Sequence, residues 1–339
     1  MDKHDSMAAD LRLFDGSTNV TTQNAAGSDL SPEMRTYYSD YLIDNALPKL
    51  VHDQFGQRIP IPKGRGKTIE FRKYSPLPKA TTPLTEGVTP NGRKLNVSTL
   101  NSEVRQYGDF IEMSDVLLLT AIDNNLVQAT KLLGAQAGAT MDTITREILM
   151  GGTNVQYAAG EVNARNLLVG GAESGNHYLT VSAIRQAVRF LKNQNAEPID
   201  GAFVGIIHPD VSYDLMSDPE WKYPHQYQDT ANLYEGEIGK IAGVRFVETT
   251  EAKKFVKAGK DGRDVYATLI LGDNAYGVTE VTGGGLQHIV KQLGSAGTAD
   301  PLDQRATAGW KSIKTAERLV EQFMVRIETT STFNDGVEN

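Results

Sequence analysis

Two short stretches of the sequence contain residue types that could bind a phosphate or transfer a proton. The first is residues 62–68, which read PKGRGKT and end like a phosphate-binding loop. That motif also requires a glycine where this chain has Ile61, and it requires a helix to follow. The residues after Lys67 alternate as in a strand instead. This stretch therefore predicts a turn that opens a basic strand rather than a nucleotide site.

The second stretch is centred on His208, which follows an apolar strand pattern and precedes Pro209 and Asp210. A histidine there is more commonly a hydrogen-bonded turn residue than a general base. The six histidines form no two-histidine metal motif, and the chain has no G-x-S-x-G elbow. We therefore expect no catalytic residue, no cofactor and no metal. A soluble α/β enzyme with a site near His208 is the alternative.

The composition limits the class of protein further. The chain has 339 residues, 40% of them hydrophobic, which is enough for one large domain or two medium ones. Its formal net charge of −8 argues against a nucleic-acid-binding module, for which a salt-dependent gel shift would be needed. The absence of cysteine excludes disulfides and fits a reducing compartment. No signal peptide and no membrane span is predicted.

The longest helical pattern runs from Ser114 to the glycines at 151–152. Ser114 is suited to cap it, and the glycines are suited to end it. Apolar residues recur there in steps of three or four, which defines one helix face. These residues are Leu119, Ile122, Leu126, Ala129, Leu133, Ala137, Met141, Ile144 and Ile148. Gly134 and Gly138 lower helix propensity and predict a close approach by another backbone on their side.

A polar N-terminal arm and a long segment with a strand pattern precede this helix. Residues 1–30 are polar and predict a flexible arm. A helix start at residues 31–33 follows, with an apolar stripe formed by Met34, Tyr37, Tyr41 and Leu42. Its partner could be its own domain or a neighbouring subunit.

Between residues 59 and 111 the period changes to two, so that residues 68–72 and 95–99 read as strands. The segment between them, residues 76–94, contains four prolines and is too long for a tight turn. We predict a projecting hairpin whose tip needs a partner surface to become ordered.

The second half of the chain predicts a compact α/β unit over residues 178–285. Its expected elements are a helix at 180–193 and strands at 202–207, 239–248 and 268–271. We also expect a short strand at 167–169, a loop-like segment at 294–307, helix or irregular structure at 315–323 and a closing strand at 323–329.

In this order, the elements resemble those of the major capsid proteins of tailed bacteriophages with the Hong Kong 97-like fold, and more narrowly the N4-like phage major capsid family. The resemblance rests on an ordered set of stretches that covers about residues 32–330. They are YLIDNALPKLVH (41–52), KGRGKTIEF (63–71), LTEGV (84–88), QYG (106–108), IIHPD (206–210), GEIGKIAGVRF (236–246) and RLVEQFMVRI (318–327).

The resemblance implies an α+β fold in four parts. Residues 1–58 would be the N-terminal arm, and residues 59–110 an extended loop that lies across the adjacent subunit. Residues 111–177 and 301–339 would form the peripheral domain around a spine helix at 114–150, beside which the closing strand returns. Residues 178–300 would form the axial domain. The implied subunit-interface residues are Thr85, Glu86 and Gly87 at the loop tip and Met34, Tyr37 and Tyr41 in the arm.

The implied function is structural rather than enzymatic. The protein would self-assemble as a homo-oligomer, in hexamers and pentamers, into the icosahedral shell of the virion. Assembly would take place in the host cytoplasm, without a membrane. Separate scaffolding, portal and decoration proteins are possible partners, and packaged double-stranded DNA would be contacted non-specifically. No lysine–asparagine crosslink is predicted, because no residue set matches one.

Overall fold

The described part of the chain forms fourteen strands and four helices. The helices are α1 (Asp115–Thr120), α2 (Asn125–Met150), α3 (Val181–Asn193) and α4 (Pro209–Ser217). The strands are β1 (Gln57–Ile61), β2 (Thr68–Tyr74), β3 (Val97–Glu103), β4 (Arg105–Ser114), β5 (Val155–Tyr157), β6 (Phe203–Ile207), β7 (Glu237–Ile241), β8 (Val244–Glu248), β9 (Lys254–Phe255), β10 (Val265–Leu271), β11 (Tyr276–Val281), β12 (Gln287–Lys291), β13 (Arg305–Arg318) and β14 (Met324–Thr329).

This computed structural model describes most of the chain after residue 50. The described residues are 51–61, 67–74, 77–89, 91–120, 125–171, 176–221, 237–281, 285–295 and 300–337. The predicted arm helix, with Met34, Tyr37 and Tyr41, lies outside them.

The larger sheet is covered on both faces. Its strand order is β5-β14-β10-β6-β8-β7, with β9 paired to β10. In β6, Phe203 and Ile207 pack into the core cluster that contains α3 and α4. Val204 and Ile206, on the opposite face, join the cluster that contains Leu149 at the end of α2. Because successive strand residues point to opposite faces, this continuous apolar strand supplies two separate cores.

The second sheet has the order β1-β11-β13-β12, with β4 also paired to β13. Its long strand β13 packs on α2 through Ala308 and Trp310, which form a core cluster with Ala129, Leu133 and Ala137. The prediction of helix or irregular structure at 315–323 is therefore wrong up to residue 318, and the loop-like segment predicted at 294–307 becomes strand at residue 305.

The missed strand has a physical explanation. Ser312 and Lys314 occupy buried positions of β13, so its inward face is not uniformly apolar and the alternation is hidden in the sequence. The pairing with the neighbouring strands β4, β11 and β12 shows that this segment is a strand.

The predicted long helix is confirmed over residues 115–120 and 125–150, while residues 121–124 lie outside the described residues. The Ser114 hydroxyl accepts a hydrogen bond from Leu117 N at 3.3 Å, as expected of a cap. Leu119 departs from the predicted apolar stripe, because its side chain is 82% exposed. At Gly134, no atom from another segment of the described chain lies within 4 Å of the position a Cβ would take, so the predicted close approach by another backbone is not made within this chain.

The α/β unit matches the sequence closely at its helices and central strands. The Thr180 hydroxyl caps α3 by accepting a hydrogen bond from Ala183 N at 3.3 Å. The expected strand at 239–248 is a hairpin of β7 and β8, with Gly243 at φ +83° in the turn. The strand expected at 167–169 is absent from the described residues. A 3-10 turn at Arg165–Leu167 stands there, and β5 supplies the strand.

The closing strand was predicted correctly in position. β14 lies between β5 and β10 in the larger sheet, and its Met324 packs in one core cluster with Leu149 at the end of α2. The strand that packs along α2 is β13. All six residues of β14 are buried, as expected for an internal strand covered on both faces.

A short segment that leads into β1 is fixed by buried polar contacts. His52 donates its backbone N–H to Asp142 Oδ1 at 2.8 Å, and its Nδ1 lies 2.6 Å from Asp142 Oδ2. Thr145 donates to Asp53 at 2.5 Å, and Lys314 Nζ pairs with the same carboxylate. The segment is thereby tied to α2 and to β13.

We expect Asp142→Ala to lower the free energy of unfolding by about 2–4 kcal/mol, because two donors of the buried His52 lose their acceptor. Urea unfolding followed by circular dichroism measures the change. Glu103→Ala, at an exposed position of β3, is the control and should alter stability by less than about 0.5 kcal/mol. Equal losses of unfolding free energy from the two substitutions would contradict the assignment of Asp142 as a buried acceptor that stabilises the fold.

Candidate subunit interface

The predicted projecting hairpin is present, and its base is attached to the body. β2 and β3 pair antiparallel from Thr68↔Glu103 to Tyr74↔Val97. Ser102 Oγ lies 3.0 Å from Thr315 Oγ1 of β13, which attaches the hairpin to the body. Val104 N donates to Lys67 O at 2.9 Å, which joins the two arms of the hairpin at its base. The body therefore sets the direction in which the hairpin leaves.

The loop beyond these strands is exposed along its described length, residues 77–89 and 91–96. Val88 N donates to Thr85 O at 3.2 Å, and Gly87 has φ +75°. This is a β-turn with a glycine in the left-handed region at its third position. The predicted tip residues Thr85, Glu86 and Gly87 therefore form the turn itself.

The loop carries apolar side chains that its own chain does not cover. Leu84 is 77% exposed and Val88 is 62% exposed, and Leu77 and Leu95 are exposed as well. Exposure of apolar side chains to water is unfavourable, and burial against a partner removes that free-energy cost. Several exposed apolar side chains on one segment therefore indicate an interaction site. The loop is the strongest candidate for a contact with another molecule.

A second group of exposed apolar residues was not predicted as an interface. It includes Phe110 in β4, Ile289 in β12 and Leu302 before β13. The sequence gives a weak signal for it, since Ile289 and Val290 are adjacent in an otherwise polar strand. Such a pair cannot be buried by a single sheet face.

His208 is a capping residue, as expected of a turn histidine. Its Nδ1 accepts a hydrogen bond from Asp210 N at 3.2 Å at the start of α4. Its ring packs on Tyr266 with a centroid separation of 5.0 Å, and Tyr266 donates to Asp210 Oδ2 at 2.7 Å. Burial raises the pKa of Tyr266, and the hydrogen bond to Asp210 adds to this shift. The contacts among His208, Asp210 and Tyr266 satisfy hydrogen-bonding groups of these residues and stabilise the start of α4.

The His208 environment predicts a specific pH dependence. Burial lowers the pKa of His208, although the Asp210 carboxylate opposes that shift. The unfolded chain, with a histidine pKa of about 6.5, therefore takes up the proton first, and this stability contribution is lost as the pH falls below that value. We expect His208→Asn, which retains a capping acceptor, to lose less stability than the wild type between pH 7.5 and pH 5. The expectation is contradicted if the unfolding free energies of the two proteins decrease by the same amount between pH 7.5 and pH 5.

The described residues contain no group of three or more His, Cys, Asp or Glu side chains placed to hold a metal ion. Within the same residues, no helix is long and apolar enough to cross a membrane.

Several solved phage capsid structures share this architecture. The capsid of Ralstonia phage GP4 superposes with a TM-score of 0.66 at 14% identity, covering 94% of this chain and all of that chain. The cyanophage Pam1 capsid gives 0.66 at 15% identity, covering 91% and 100%. The cyanophage P-SCSP1u capsid gives 0.65 at 12% identity, covering 87% and 92%. The α+β fold is that of Hong Kong 97-like phage capsid proteins.

The sequence itself matches a family model described as "Phage capsid protein" over residues 119–293, just over half of the chain. The chain therefore belongs to the phage capsid protein family. Its function is structural: it is a major capsid protein of a virion, and membership of this family bears out the prediction that it is not an enzyme. The alternative of an enzyme centred on His208 is thereby removed. No curated protein matches the sequence.

Proposed function

We propose that identical copies of this chain assemble, as hexamers and pentamers, into a closed icosahedral shell around double-stranded DNA. The observation that carries this proposal is the hairpin loop at residues 77–96, which is fixed at its base and holds Leu84 and Val88 in solvent. Repeated contacts between copies give these side chains the surface that they lack within one chain. Many weak contacts of this kind reinforce one another in a shell.

The loop is placed across the adjacent subunit, with Thr85, Glu86 and Gly87 at the contact. Support for this placement comes from the exposed turn at its tip and from the short anchored strands that carry it outward. The arm residues Met34, Tyr37 and Tyr41 form a second proposed contact, based on their apolar spacing alone. Scaffolding, portal and decoration proteins remain proposed partners.

The proposed division into parts is one of sequence ranges and cuts across the two sheets, because β11 and β12 pair within the second sheet while β5 and β14 belong to the larger one. The axial domain is assigned to residues 178–300, which supply most of the larger sheet. The peripheral domain is assigned to residues 111–177 and 301–339 around the helix at 114–150. The finer assignment to the N4-like group rests on the seven ordered sequence stretches given above. The net charge of −8 favours a shell that encloses DNA without binding it tightly.

Expression of the full chain, alone and with a candidate scaffolding protein, tests the proposal. Negative-stain microscopy and light scattering should reveal hexamers, pentamers, sheets or closed shells. A monodisperse monomer under all of these conditions would refute it. DNA binding in a gel shift should be weak, without a steep dependence on salt.

A further inference from the structure

We propose that Asn91, in the hairpin loop, is a site of spontaneous deamidation, at which the side-chain amide is lost as ammonia and replaced by a carboxylate without an enzyme. Asn91 and Gly92 form the only Asn-Gly pair in the 339-residue chain. In this chemistry the backbone nitrogen of the following residue attacks the asparagine side chain. Glycine obstructs that attack least, because it has no Cβ and its backbone rotates most freely.

The structure leaves the attack at this pair unobstructed. Both residues are exposed, and they lie in residues 91–96, which form neither helix nor strand. Within the described residues, no atom beyond its two chain neighbours lies within 4 Å of the position a Gly92 Cβ would take. The reaction requires a backbone rotation that brings Gly92 N onto Asn91 Cγ. A segment with few buried contacts makes such a rotation at little free-energy cost.

The reaction needs no reactant other than water. A bond forms between Gly92 N and Asn91 Cγ, the bond from Cγ to Nδ2 breaks, and the proton of the Gly92 N–H leaves with the ammonia. Water then opens the resulting succinimide ring. Cleavage between Gly92 N and Cγ gives aspartate, whereas cleavage between Gly92 N and the backbone carbonyl carbon gives isoaspartate. Nothing is oxidised or reduced in either step.

A second asparagine in the same hairpin provides an internal comparison. Asn101 also precedes a small residue, Ser102, but both lie in β3 and pair with Glu70 and Ile69 of β2. Ser102 is buried, and its hydroxyl lies 3.0 Å from Thr315 Oγ1. The strand must open before Ser102 N can approach the Asn101 side chain. The fold therefore selects Asn91 for deamidation and protects Asn101.

Deamidation changes both the charge and the length of the loop. Residues 77–96 contain three cations, Lys79, Arg93 and Lys94, and one carboxylate, Glu86. A second carboxylate therefore lowers the formal net charge of this segment from +2 to +1. The isoaspartate product also adds one carbon to the backbone just before Arg93 and Lys94. An aged chain thus has a different loop from a newly made one.

Peptide mapping by mass spectrometry tests the site on dispersed full-length subunits incubated in mildly alkaline buffer. Conversion at Asn91 should be at least about tenfold faster than at Asn101, because the opening of β3 adds its free-energy cost to the second reaction. Gly92→Ala should slow conversion at Asn91 about tenfold or more, because its Cβ hinders the attack. Gly92 has open space around it and does not have a positive φ, so this variant should unfold with the wild type. No conversion at Asn91, equal rates at Asn91 and Asn101, or no effect of Gly92→Ala would each overturn the inference.

The same measurement on assembled particles connects the site to the proposed function. If the loop lies across an adjacent subunit, conversion at Asn91 should be about threefold or more slower in particles than in dispersed subunits, because the contact must open first. Equal rates in the two samples would confirm the deamidation site and contradict the proposed placement of the loop. The measurement on dispersed subunits does not depend on assembly, so the two ideas fail separately.

Discussion

Replacing Glu328 with alanine should lower the free energy of unfolding by about 3–5 kcal/mol, a large part of the stability of an ordinary domain. The Glu328 side chain is 0% exposed and receives two hydrogen bonds from Arg165, at 2.6 and 2.7 Å. Arg326 Nε lies 2.9 Å from the same carboxylate. The substitution leaves two guanidinium groups in or near the core without their counter-charge, and that desolvation cost dominates the loss.

The site of this carboxylate explains why the effect should be global. Glu328 lies in β14, between β5 and β10, and Arg165 reaches it from the connector after α2. The Arg165 guanidinium also stacks on the Phe255 ring at 3.5 Å, and its hydrogen bonds to Glu328 raise the pKa of this arginine. Loss of the carboxylate therefore loosens the connector as well as the strand.

Urea or thermal unfolding of purified subunits measures this effect. Glu70→Ala provides a matched control, because Glu70 also pairs with an arginine, Arg72 at 3.4 Å, but at an exposed position. Exposed ion pairs contribute about 0–1 kcal/mol to stability, so the control should have nearly the same unfolding free energy as the wild type. Glu328→Gln should fall closer to the alanine variant, since it keeps the shape and loses the charge. A change below about 1 kcal/mol for both Glu328 variants would contradict the argument.

The double variant Leu84→Asp/Val88→Asp should remain folded but fail to form shells. Both side chains are exposed within the chain, so the substitutions remove no intramolecular packing. Burying a large apolar side chain contributes about 1.5–3 kcal/mol, so two losses weaken each contact between copies by at least about a hundredfold. Because every copy repeats the contact, particle yield should fall below detection.

Sedimentation and negative-stain microscopy measure this outcome, with unfolding curves recorded on the same samples. Thr82→Asp introduces a charge into the same exposed loop without removing an apolar group, and it should assemble close to the wild-type yield. Shells from the double variant at wild-type yield would show that the loop tip is not a contact.

Much of the architecture could be predicted from local patterns. The continuous apolar run of β6, the capping threonine of α3 and the proline-rich loop each show their structure within a short window of sequence. The loop was predicted as a projection because its residues cannot bury one another, and this holds in the structure. His208 was expected to be a turn residue, and its capping hydrogen bond has the same local origin.

The errors arose where a residue's environment depends on distant segments. Lys314 reads as a surface residue, yet it is buried because Asp53, far away in sequence, supplies its counter-charge. Leu119 continues an apolar stripe, yet it is exposed near the end of α1.

The sequence alone determined the order of the main elements, the absence of a recognisable catalytic set and the resemblance to phage capsid proteins. These properties depend on composition, spacing and local backbone preference. The tertiary structure decided which strand lies beside the long helix, which charges are buried together and which apolar residues have no cover in their own chain. Those outcomes depend on pairing between residues far apart in sequence, where contact and desolvation, rather than local preference, set the energy.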